Sequence, residues 1–100
     1  MRGIVFGATL DSARNKLNKI GAEYERFWKI ETERIISSRH EYTMIFSNGD
    51  IWRCAEMNGG NCCGRRCNVA IIDRNIPKEI VDCIILPCIV RDPYGAVGYY

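Results

Sequence analysis

Cys67-Asn68-Val69-Ala70-Ile71-Ile72-Asp73-Arg74 reads as a short buried strand that delivers an aspartate at its carboxyl end. Open α/β sheets place ligands outside the carboxyl ends of their strands, so Asp73 suits a Mg²⁺ ion or a polar ligand. The same carboxylate would equally serve as a helix cap, or as a partner for Arg74 near Pro77. Hydrolysis of a phosphoanhydride needs a further residue to orient and deprotonate water. An acid is expected directly after such an aspartate, and arginine stands there instead. No glycine-rich loop with its lysine and Ser/Thr occurs in the chain, so no backbone nest for β- and γ-phosphates is expected. His40, the single histidine, sits among Ser38, Arg39 and Glu41 with no marked nucleophile. The chemistry-bearing residues therefore predict a binding protein and not an enzyme.

The polar candidates for contact with a ligand or partner are Arg53, Arg65, Arg66, Asp73 and Arg74. Arg65 and Arg66 occupy a glycine-containing loop just before the strand, where guanidinium forks can meet phosphate or carboxylate. They would serve a nucleotide, a nucleic-acid backbone or an acidic protein surface. The alternative is a solvated loop that carries charge for solubility. Cys54, Cys62, Cys63 and Cys67 are the candidate ligands for a structural zinc ion, Cys63 and Cys67 having the usual pair spacing. Reduced loop thiols are the competing reading, and no other cofactor is implied. Cys54, Cys83 and Cys88 fall in apolar patterns that suggest buried thiols.

The 100 residues make one domain, with 47% apolar residues and a net charge of +2. That charge is too small to argue for nucleic acid by itself. Neither a secretory signal nor a membrane-spanning run is visible. A cytoplasmic protein without a membrane association is the expectation, and with it reduced cysteines.

The elements that must position these residues follow from periodicity. Residues 3–8 form a short buried strand, and Thr9 or Asp11 caps the helix after it. Leu10, Ala13, Leu17, Ile20, Tyr24, Phe27 and Trp28 recur at helical spacing, giving a helix from about residue 11 to 29. Residues 33–37 suggest an edge strand. Residues 42–46 and 51–55, joined through Asn48-Gly49, predict a β-hairpin. Trp52 on that hairpin would either stack a base beside Arg53 or cover the first helix. A loop over 57–66 leads into the strand 69–72. Pro77 opens a second helix that reaches about residue 86, and Ile89-Val90 would add a last short strand. The expected fold is α/β, a small three-layer or two-layer sandwich with a mixed sheet, a β-hairpin and two main helices. Residues 1–93 form the domain, and the tyrosine- and glycine-rich residues 94–100 form a tail that is loose or packs on a partner.

Three stretches carry a family resemblance: Val5-Phe6-Gly7-Ala8-Thr9-Leu10-Asp11-Ser12-Ala13-Arg14, Ile45-Phe46-Ser47-Asn48-Gly49-Asp50-Ile51, and Gly64-Arg65-Arg66-Cys67-Asn68-Val69-Ala70-Ile71-Ile72-Asp73. Together they resemble the middle of the ATPase domain in phage terminase large subunits and helicase-like relatives. The resemblance implies that Asp73 matches the Mg²⁺-binding aspartate and that Arg74 replaces the catalytic glutamate. It also implies a small phage or prophage protein, one that keeps the fold without the phosphate loop. The leading expectation is a non-enzymatic accessory or regulatory protein that binds another protein, with self-association open through a strand edge. A nucleotide- or nucleic-acid-binding module is the alternative, provided that Arg53, Arg65, Arg66 and Asp73 converge in one cleft. A further alternative is the non-catalytic half of a split packaging ATPase.

Overall fold

Alternation along the first strand sets the architecture. In β1 (Arg2–Gly7), Ile4 and Phe6 enter one apolar core and Val5 enters another. A strand buried on both faces must lie centrally with a layer on each side. The structure, a computed structural model, describes residues 1–39, 41–57, 66–89 and 96–100 and has this arrangement. Among the described residues one six-stranded sheet runs in the order β2 (Thr32–Ser37), β3 (Tyr42–Phe46), β4 (Ile51–Glu56), β1, β5 (Val69–Ile72) and β6 (Ala96–Tyr99). β1 is parallel to β4 and to β5. β2 and β3 complete an antiparallel half. The fold is thus a mixed α/β sandwich, and of the two layerings expected it is the three-layer one.

Helix α1 (Leu10–Trp28) covers one face. The Thr9 hydroxyl caps it by accepting from the Ser12 N–H at 3.1 Å. Ala13, Leu17, Ile20, Gly21 and Tyr24 form its buried stripe. Lys29 ends it in the left-handed region at φ 56°. Phe27 and Trp28, expected in the same stripe, are instead 64% and 61% exposed. The reason is length. Nineteen helical residues span about 28 Å, against about 20 Å for a six-residue strand, so the last turn overhangs the sheet.

Trp52 covers α1 and does not stack outward. Its Nε1–H donates to the Tyr24 hydroxyl at 3.0 Å, and that hydroxyl donates to Asp50 at 2.8 Å. The Tyr24 ring stacks on Phe46 with 4.1 Å between centroids. Gly3 makes room for this packing, because a Cβ there would lie 2.5 Å from the Trp52 ring. The hairpin turns at Gly49, whose φ of 94° suits a residue without a side chain.

Over β1 and β5 the opposite face is covered by a helical segment that begins as α2 (Lys78–Ile80). It widens into a π turn at Val81–Ile85 and tightens into a 3₁₀ turn at Leu86–Cys88. Pro87 lacks an N–H and cannot continue a regular α-helix, so the expected second helix is present but irregular. Ile76, Val81, Ile85 and Ile89 pack on Ile4, Phe6, Ala70 and Ile72. Ile89 makes one parallel bridge to Cys67, and Val90 lies outside the described residues. Residues 96–99, expected in a tail, form β6 (Ala96–Tyr99), parallel to β5. The Tyr100 hydroxyl then donates to the Phe6 carbonyl at 3.2 Å. Among the described residues no helix is long and apolar enough to cross a membrane.

Candidate functional site

Asp73 leaves the carboxyl end of β5 and turns back into the protein, where it is only 4% exposed. One carboxylate oxygen accepts from the Ala8 N–H at 3.0 Å and from the Ser12 hydroxyl at 2.9 Å. The other accepts from the Asn75 N–H at 2.9 Å. Burial raises the affinity of this carboxyl for its proton. The hydrogen bonds from Asn75, Ala8 and Ser12 outweigh burial and hold the group below its ordinary range. The carboxylate thus sits where α1 begins and satisfies donors there, in the place where a phosphoryl ligand would be held in an open α/β sheet. The helix cap expected near Pro77 is not formed, since α2 has no side-chain cap; the carboxylate instead binds donors at the β1–α1 junction and in its own turn.

The described polar candidates Arg53, Arg66, Asp73 and Arg74 divide between the two ends of the sheet, so the single cleft that the nucleotide- or nucleic-acid-binding alternative needs is not formed by Arg53, Arg66 and Asp73. Asp73 and Arg74 line a cavity of about 460 Å³ with Ile76, Lys78, Val81, Asp82 and Tyr99. Arg53 and Arg66 line a different one, of about 370 Å³, with Arg2, Gly3, Ile4 and Ile51. The separation follows from strand direction: Arg2 begins β1, whereas Asp73 bonds next to its end. Arg65 lies outside the described residues.

Register shows what surrounds the arginine cavity, since directly paired residues share a face of the sheet. Arg34 pairs with Ile45, Ile45 with Ile51, and Ile51 with Arg2. This makes one row across β2, β3, β4 and β1. The next row is Ile36, Thr43, Arg53 and Ile4. Ile4 belongs to the core opposite α1, so both rows lie on the face away from α1. Ile36, Ile45 and Ile51 are half-buried and belong to neither core. Arg2, Arg34 and Arg66 are exposed, and Arg53 is half-buried. Among the described residues lining the cavity there is no carboxylate. Glu41, which accepts from the Thr43 hydroxyl at 3.2 Å, borders the second row.

Such a surface has guanidinium forks around an aliphatic floor. It can hold an anionic group by charge-assisted hydrogen bonds while aliphatic side chains lose water against the isoleucines. Sequence reasoning missed Arg2, Arg34, Ile36, Ile45 and Ile51 as members. Their signal is the period-two alternation of Arg34 and Ile36, Thr43 and Ile45, and Ile51 and Arg53. Only strand pairing brings those three alternations together with Arg2.

The zinc proposal fails in one respect. Cys54 is half-buried against the core beneath α1, whereas Cys67 is buried in the core on the other face. The sheet between them keeps the two from sharing one tetrahedral centre. Burial also pushes the Cys54 thiol up to about 12, against an opposing pull from Arg14. Cys62, Cys63 and His40 lie outside the described residues. Among the described residues no group of three or more His, Cys, Asp or Glu side chains is placed to hold a metal. Of the thiols expected to be buried, Cys54 and Cys88 are half-buried and Cys83 is exposed, on the outward side of the π turn.

Compared with known proteins, the chain matches no family model, no curated protein and no solved structure.

Proposed function

We propose that this chain is a non-catalytic binding module that engages an acidic segment of a partner protein on the face opposite α1. The observation that carries this reading is the convergence of Arg2, Arg53 and Arg66 on one cavity, with Ile4 and Ile51 in its wall and no carboxylate among its described lining residues. Two further features support a protein ligand over nucleic acid. The net charge of +2 gives little long-range pull on a polyanion. No aromatic ring is among the described residues that line the arginine cavity, Trp52 being packed under α1 and Tyr99 lining the other cavity. The engagement of Asp73 by the fold argues against a catalytic or split-ATPase role. A phage-type accessory protein, as the terminase resemblance implies, is compatible with this reading.

The test is fluorescence anisotropy with a labelled glutamate-rich peptide and a labelled single-stranded oligonucleotide. Reversing one interfacial charge with Arg53→Glu is expected to weaken peptide binding about tenfold or more. The same change should leave the far-UV spectrum intact. Tighter binding of the oligonucleotide, lost with the same substitution, would transfer the site to nucleic acid.

A further inference from the structure

The rows of the sheet carry more than a general preference for acids. Arg34 on β2 and Arg2 on β1 stand at opposite ends of one row, with Ile45 and Ile51 between them. Three strand spacings separate their backbones, about 14 Å. Arg2 shares its end of the row with Arg53 and Arg66 around the cavity, whereas Arg34 stands alone in the row at the β2 end. The face is therefore basic at two separated places, with an aliphatic strip between.

Extended backbone advances about 3.3 Å per residue, so four residues cover about 13 Å. Residues i, i+2 and i+4 of an extended segment project to the same side. Resting on the reading above, we propose that the ligand is an extended peptide laid across the strands. It carries two acidic side chains four residues apart and an aliphatic side chain midway. One acid enters the Arg2, Arg53 and Arg66 cavity, the other meets Arg34, and the aliphatic side chain lies on Ile45 and Ile51. Glu41 at the border of the second row repels an acid placed there and directs the peptide along the first.

Two labelled peptides of identical composition test this: Asp-Ala-Leu-Ala-Asp, and an isomer with its two acids adjacent. An adjacent pair reaches one end of the row and leaves Arg34 unused. The spaced peptide is expected to bind about threefold tighter in anisotropy titrations, the scale of one additional solvent-accessible ion pair. Arg34→Ala should remove that advantage and leave the adjacent peptide unaffected. Equal affinity of the two isomers, or an equal loss for both with Arg34→Ala, overturns the spacing rule. If Arg53→Glu still abolishes both, the acidic-partner reading survives that outcome. If neither peptide binds, or Arg53→Glu changes nothing, the reading and the spacing rule fall together.

Discussion

Replacing Asp73 with alanine tests whether this aspartate belongs to the fold or to a metal. The substitution removes the acceptor for the Ala8 N–H, the Asn75 N–H and the Ser12 hydroxyl. Ser12 can turn toward water, but the two backbone donors stay largely where they are. Each is only partly shielded, so the loss lies toward the low end of about 1–3 kcal/mol for a stranded donor. The total is about 2–4 kcal/mol, a large share of the roughly 5–15 kcal/mol that holds a domain together. Urea denaturation followed by circular dichroism reads this directly. Asp73→Asn, which keeps one acceptor oxygen, should fall between the alanine variant and the parent. The pH dependence carries the same signature. The folded carboxyl sits below its ordinary range, so the unfolded chain takes up this proton first as pH falls. The stabilisation is complete above the unfolded value and disappears as pH drops through the folded one. Asp73→Asn should therefore flatten the acid limb of the stability profile. A loss under about 1 kcal/mol in Asp73→Ala would refute the reasoning, being too small for two stranded donors. So would thermal stabilisation of the parent by Mg²⁺ that the Asn variant lacks.

Other consequences are as specific. Gly3→Ala places a methyl group 2.5 Å from the Trp52 ring, and overpacking of this kind should cost about 1–3 kcal/mol in a denaturation curve. Trp28 is 61% exposed and Trp52 4% exposed, so iodide should quench one part of the emission. Trp28→Phe should leave a blue-shifted, quencher-resistant spectrum. Peptide mapping after brief alkylation at neutral pH should find Cys83 modified well before Cys54, because burial holds the Cys54 thiol protonated. Preferential labelling of Cys54 would place that side chain outside the core beneath α1.

Local pattern carried much of this fold. The stripe from Ala13 to Tyr24 marked α1, and Asn48-Gly49 marked the hairpin, because both signals lie within a few residues of their cause. β6 was not legible. Val97 and Tyr99 favour a strand, but Ala96 and Gly98 do not, and the segment forms one by pairing with β5, far back along the chain. Phe27 and Trp28 obeyed the helical period but lie beyond the sheet that would have buried them. The site was half legible for a similar reason. Arg53 and Arg66 stood out as arginines near a central strand, yet their companion is Arg2, brought in by parallel pairing. Asp73 drew attention by its place at a strand end. Its partners, Ala8 and Ser12, come from an element that only the parallel β1–β5 register sets beside it.

The ligand-bearing surface proposed above is the face of Arg2, Arg34, Ile45, Ile51 and Arg53. Amide chemical-shift mapping of the isotopically labelled protein, titrated with the spaced acidic peptide, addresses this proposal most directly. Saturable shifts are expected along Arg34, Ile45, Ile51 and Arg2 and in Arg53 and Arg66, with the Ala8, Ser12 and Asp73 amides unmoved. Shifts centred on the Ala8, Ser12 and Asp73 end of the sheet, or no saturable shifts on the arginine face, would contradict it.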